Sequence, residues 1–296
     1  MTGVSDYDVL EVPVDGGTLT VGRWSGAEGA PVVLAVHGIT ANHLSWAAVA
    51  RALDGAVTLV APDLRGRGRS NELPPPYGMR AHADDLAAIL DELELVRVAL
   101  VGHSMGAFVA TTAAARHPER FGPLVLVDGG LSLPVPPAAG IDAMIEAVIG
   151  PAMARLSMTF ESRAAYREFW QAHPAFADSW SDDAENYVQY DLVGAEPELR
   201  SACAIDAVRT DGSDILLNQQ VIDAIQSPTT EAVLLWAPRG LQNEPQGLYD
   251  ERRIGLVDFD PDRVRTAAVP GTNHYTITLA EPGASAVARE ITSAAS

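Results

Sequence analysis

Four short apolar runs, 32–36, 57–61, 98–101 and 124–127, are separated by stretches with helical spacing, and each run ends in turn-forming or polar residues. Runs of that length without alternation predict strands buried on both faces, as in a parallel sheet covered by helices. Two stretches ahead of them, 7–14 and 18–24, read as strands joined by a hairpin turn at Asp15-Gly16-Gly17. The strand pattern returns at 232–236 and 264–269, and a last helix is predicted over 281–294. Between 131 and 230 no strand-like alternation appears. The segments 141–156, 164–172, 184–192 and 214–225 have helical spacing there, punctuated by Pro134, Pro136, Pro137, Pro151, Pro174 and Pro197. The pattern as a whole predicts an α/β fold: a mostly parallel sheet of about eight strands with helices on both faces. Residues 1–130 and 231–296 form its core domain, and 131–230 a helical cap inserted after the sixth strand, over the sheet's carboxyl edge.

One strand-to-helix junction stands out. Gly102-His103-Ser104-Met105-Gly106 follows the apolar strand at 97–101 and precedes an alanine-rich helix over 107–116 that Pro118 stops. A strand that turns at once into a helix cramps its apex residue, so the positions two before and two after must lack side chains. This is the form of a nucleophile elbow, with Ser104 exposed above the sheet; the competing reading is a helix N-cap serine between packing glycines.

A serine hydroxyl is a poor nucleophile at neutral pH and needs a histidine base held by an acid. Of seven histidines, His274 is best placed, because Val269-Pro270-Gly271-Thr272-Asn273-His274-Tyr275 follows the last strand and returns over the sheet edge. His103 occupies the variable position of the elbow, His117 and His173 precede prolines, and His43 and His82 read as surface residues. An oxyanion needs two backbone N–H donors aimed at one point. Met105, at the start of the helix, supplies one, and the loop His37-Gly38-Ile39-Thr40 offers the second at Ile39, with His37 bonding loop backbone.

Composition narrows the partners. The net charge of −19, from 39 acidic and 20 basic residues, repels nucleic acid and anionic membrane surfaces. Every basic residue is arginine, which removes Schiff-base and serine–lysine chemistry. No apolar run is long enough to span a bilayer, and the start of the chain lacks the form of a secretory signal. With Cys203 as the single cysteine, these features predict a cytoplasmic protein with no internal disulfide and no paired-cysteine zinc site.

Ser104 in its elbow, His37-Gly38-Ile39-Thr40, the run from Pro62 to Ser70 and the final Gly271-Thr272-Asn273-His274-Tyr275 together resemble the α/β-hydrolase superfamily over nearly the whole chain. The resemblance gives Asp63, Arg65, Gly66, Gly68 and Ser70 a scaffold role. It also implies an acid in the loop after the strand that follows the cap. Here that strand runs into Ala237-Pro238-Arg239-Gly240-Leu241-Gln242-Asn243-Glu244, with no aspartate where one is expected. Either Glu244, or with less support Asp250, acts from a lengthened loop, or the acid is Asp128 at the end of the preceding strand, where some relatives with a serine nucleophile carry it. A capping role for Asp128, bonding the amides of Gly129 and Gly130, is the alternative.

The expected function is a serine hydrolase for a carboxylic ester or lactone, with no metal and no organic cofactor. Thioester, amide or C–C bond hydrolysis and perhydrolysis are alternatives on the same residues, as is a small-molecule receptor built on the scaffold. Met144, Ile145, Ile149, Met153, Met158, Phe160, Phe169, Trp170, Phe176 and Trp180 form an apolar set that packs the cap or lines a pocket for a medium-sized, uncharged substrate. Arg155, Arg163 and Arg167 read as solvated surface residues.

Overall fold

Period-two placement divides each apolar run between two hydrophobic cores, one on either face of a central sheet. The computed structural model describes residues 6–132, 140–226 and 228–296, and Pro134, Pro136 and Pro137 lie outside the described residues. In chain order come β1 (Tyr7–Val14), β2 (Gly17–Trp24), β3 (Val32–Val36), α1 (Ala47–Ala52), β4 (Thr58–Pro62), α2 (Met79–Glu92), β5 (Val98–His103), α3 (Met105–Arg116) and β6 (Phe121–Val127). An insert follows, with α4 (Ile141–Leu156), α5 (Arg163–Gln171), α6 (Asp182–Tyr190), the short hairpin β7 (Leu192–Val193) and β8 (Arg200–Ser201), α7 (Ile205–Leu217) and α8 (Gln219–Asp223). The chain then returns through β9 (Ala232–Trp236), α9 (Glu251–Ile254), β10 (Val264–Ala268), α10 (Thr276–Leu279) and α11 (Gly283–Ala294).

The eight-stranded sheet has the order β1-β2-β4-β3-β5-β6-β9-β10, and only β2 runs against the rest. Leu34, Val60, Leu100, Leu126 and Leu234 point to the face covered by α2 and α3, while Val33, Leu59, Val101, Val125 and Val233 point to the face covered by α1 and α11. Each such side chain contributes about 1.5–3 kcal/mol by leaving water. A third cluster, around Phe160, Tyr166, Trp170, Phe176 and Tyr187, packs the insert against Leu279 of α10.

The predicted helix over 214–225 is not one helix. The structure places α7 earlier, at Ile205–Leu217, and Asn218 in an extended conformation separates it from α8, whose first turn it caps. Gly212 lies inside α7, where the helix packs against α4. A Cβ at Gly212 would come within 2.6 Å of Ile145 Cδ1.

Candidate active site

Ser104 stands at the apex between β5 and α3 with φ 56° and ψ −120°, a left-handed conformation that a side chain enters only under strain. The turn closes because its flanks are bare: a Cβ on Gly102 would lie 2.1 Å from the Gly106 carbonyl oxygen, and one on Gly106 2.1 Å from that of Val36. The hydroxyl is therefore pushed above the carboxyl ends of the strands.

His274, in the loop between β10 and α10, comes to the same place. Asn273 sets that loop: its Oδ1 accepts from the amides of Tyr275 and Thr276, and its Nδ2 donates to the Ala175 carbonyl of the insert. The His274 ring donates from Nδ1 to Asp128 Oδ2 at 2.7 Å. A carboxylate cannot donate, so that bond puts the hydrogen on Nδ1 and leaves Nε2 with a free lone pair. Asp128 is fully buried, and its Oδ1 accepts from the Ala237 amide at 3.1 Å. The carboxylate of one strand end thus reaches across to the end of β9, where the expected aspartate is missing, and it does not cap Gly129 or Gly130. Glu244 is exposed and folds back on its own loop, accepting from the Gln242 amide at 2.7 Å. Asp250 caps α9.

The loop after β3 is shaped by its carbonyls. A trans peptide points its C=O and the following N–H in opposite directions. The Gly38 carbonyl accepts from His37 Nδ1 at 2.8 Å and from the Ala41 amide at 3.2 Å, so the Ile39 N–H faces away from both. Ile39 lines the same cavities as Ser104 and His274. Among the described residues neither the Ile39 amide nor the Met105 amide, first in α3, has a protein acceptor. His37 is structural, as expected: its Nε2 accepts from the Leu64 amide, and burial lowers its pKa to about 4.

Two clefts meet at Ser104 and His274, sharing Ile39, Ile149 and Leu241. The first is walled by Met105, Phe108, Ile145, Val148, Ile215, Leu216, Leu248 and Tyr249. The second adds Thr40, Ser45, His103, Tyr187, Tyr275 and Thr278. Of the apolar set read as packing the cap or lining a pocket, Ile145 and Ile149 line the first cleft, Phe160, Trp170 and Phe176 pack the insert against the core, and Met158 is exposed.

Several polar residues depart from the sequence reading. His43 and His82 are fully buried, bonded to Asp63 and Asp211. Arg155 is buried as well, paired with Asp191, while Arg163 and Arg167 are on the surface as expected. His103 is more than a variable position. Its Nε2 donates to the His274 carbonyl at 2.9 Å, the two rings lie 4.7 Å apart, and burial beside His274 holds its pKa well below the ordinary value. Arg67 was missed; it lies buried beneath the Ile39 loop and is tied to Asp211. Its position inside the glycine-rich run was the available clue.

A family profile described as the α/β-hydrolase fold matches residues 31–198. The chain belongs to that family. Among relatives of this α/β-hydrolase, an uncharacterised protein of Mycobacterium tuberculosis is 37% identical over 100 residues, 34% of this chain and 29% of that protein. A Caulobacter segnis protein named "Putative carbamate hydrolase RutD" is 38% identical over 118 residues, 39% of this chain and 44% of the relative. The chain therefore matches less than half the length of either. The solved structure of E-2-(acetamidomethylene)succinate hydrolase superposes with a TM-score of 0.79 at 21% identity, covering 98% of this α/β-hydrolase and 99% of the other chain. Among the described residues no three potential ligands cluster as a metal site, and no helix is long and apolar enough to cross a membrane.

Proposed function

We propose that the chain is a serine hydrolase acting on a carboxylic ester or lactone of a medium-sized, partly hydrophobic molecule. The observation that carries this reading is the 2.7 Å bond from His274 Nδ1 to Asp128, which leaves Nε2 free in a cavity shared with Ser104. Ser104 Oγ attacks the carbonyl carbon as His274 Nε2 takes its proton, and Asp128 holds the imidazolium. The amides of Ile39 and Met105 receive the oxyanion. Collapse expels the alkoxide, which His274 protonates to the alcohol, and a water activated by the same base releases the acid and restores Ser104. The apolar walls of the first cleft support an uncharged group on one side of the scissile bond, with the insert acting as a cap over it.

A second reading has a specific source: the name of the Caulobacter relative points to carbamates, whose leaving amine His274 could protonate in the same way. A matched series of ester, thioester, carbamate and amide with identical flanking groups tests both. The ester is expected to have the largest kcat/KM, and a carbamate preference would replace it. A fluorophosphonate should label Ser104 and fail on Ser104→Ala. No label and no p-nitrophenyl ester turnover would leave a receptor on a hydrolase scaffold.

A further inference from the structure

Three consecutive carbonyls of the loop that carries the Ile39 amide are each held by a buried side chain. Gly38 is held by His37, Ile39 by Arg67 Nε at 3.0 Å, and Thr40 by Arg155 Nη2 at 3.2 Å. The two guanidiniums are not free surface cations. Arg67 lies 2.5 Å from Asp211, on α7, and Arg155 bonds Asp191, which follows α6, and Ser201 Oγ at 3.1 Å. Both aspartates, and Arg155 itself, belong to the insert. A buried guanidinium has a fixed fork of donors, so one that bonds a carboxylate on one side and a carbonyl on the other transmits the position of the first to the second.

We propose that Arg155 and Arg67 are positioning residues that clamp the oxyanion loop to the insert, so that the insert sets the aim of the Ile39 amide. This rests on the serine-hydrolase reading of the site. Arg155 is the informative arm, because it and its carboxylate both come from the insert while its target carbonyl is in the core. Its other bond partner, the Tyr166 hydroxyl, also belongs to the insert. The insert is then part of the catalytic geometry as well as a cover, because a displacement of about 1 Å at a reacting centre costs on the order of 10²-fold in rate.

The test is the double variant Arg155→Met with Asp191→Leu, which removes both charges at similar volume, an exchange that buried pairs often tolerate. Turnover of a p-nitrophenyl ester is measured per active site titrated with fluorophosphonate. The expected result is a kcat lower by about 10²-fold with KM nearly unchanged, and a matching loss of affinity for a trifluoromethyl ketone that forms an oxyanion adduct on Ser104. A folded double variant with wild-type kcat overturns the clamp, as does a loss confined to KM. Should the double variant not fold, Arg155→Lys, which keeps the charge and shortens the reach to Thr40, is read by the same criteria. A wild-type chain that neither labels nor turns over ester removes the hydrolase reading and the clamp together, whereas an active wild type with an equally active variant removes the clamp alone.

Discussion

Of the three buried histidine–carboxylate pairs among the described residues, two bond through Nδ1 with nearly identical geometry. His274 Nδ1 lies 2.7 Å from Asp128, and His43 Nδ1 lies 2.8 Å from Asp63. The difference is at the far nitrogen. His274 Nε2 has no protein partner among the described residues, and the ring borders the cavity of Ser104. His43 Nε2 instead accepts from the Tyr7 hydroxyl at 2.7 Å, and burial, with Asp63 and Asp8 nearby, pushes that phenol's pKa up to about 12. The second ring is also boxed in: a Cβ on Gly22 would lie 2.4 Å from it. Asp63 completes its shell with the Arg69 amide and the Tyr190 hydroxyl. An imidazole held by a carboxylate at one nitrogen can serve as the base proposed for His274 only where its other lone pair faces open space. Elsewhere it is a cross-link.

The comparison breaks most sharply at the far ends of the two pairs. Ser104→Ala and His274→Ala are each expected to lower kcat by on the order of 10⁶-fold with stability close to wild type. His43→Ala is expected to leave kcat per labelled site within about threefold while lowering unfolding free energy by about 3 kcal/mol, because Asp63 is left buried without its partner. Urea unfolding and ester turnover on the same samples separate the two, and a large kcat loss in His43→Ala would undo the distinction.

The carboxylates give the next largest contrast. Asp128→Asn can still bond His274, but it presents the wrong hydrogen, so kcat should fall by about 10⁴-fold with the urea midpoint nearly unchanged. Asp63→Asn should do the reverse, since both its oxygens accept from donors fixed by the fold. Equal turnover in wild type and Asp128→Asn would take Asp128 out of the mechanism.

The family resemblance made one of these pairs legible, and nothing local marked the other. Asp128 was a candidate because it ends the strand where some α/β-hydrolases carry their acid, and because the loop after Trp236 has no aspartate where the family usually has one. The elbow was legible because its glycines are demanded by a turn only a few residues long. His43, His82 and Arg155 were misread as solvated because their partners lie 20, 129 and 36 residues away, and nothing in the neighbouring sequence records that burial. For Arg155 and His82 the partner belongs to the insert, the stretch with the weakest periodic pattern. The same weakness displaced α7, whose observed start at Ile205 precedes the predicted helix.

A smaller, graded effect comes from imidazoles that stay neutral. Burial lowers the folded-state pKa of His37 to about 4, below its ordinary 6.5. Between those values the unfolded chain binds a proton that the folded chain refuses, so stability must fall as pH falls. From pH 7 to pH 5 His37 alone accounts for a loss of about 2 kcal/mol, and His103, shifted in the same direction, adds to it. A urea midpoint that does not move between these pH values would contradict the burial of both rings.

The smallest effect is expected where the sequence offered its other candidate acid. Glu244 accepts the Gln242 amide through Oε2 at 2.7 Å, and a glutamine oxygen can accept the same bond. Glu244→Gln should therefore keep kcat within about twofold and stability within about 0.5 kcal/mol, as for an exposed substitution that preserves its hydrogen bond. Because Glu244 and Asp128 differ in what they touch, the pair of amide substitutions measures contact with His274 more than it measures loss of charge. If Glu244→Gln were to cost as much as Asp128→Asn, the base would be oriented from the lengthened loop after β9, and the bond from His274 to Asp128 would be one more structural cross-link of the kind made by His43.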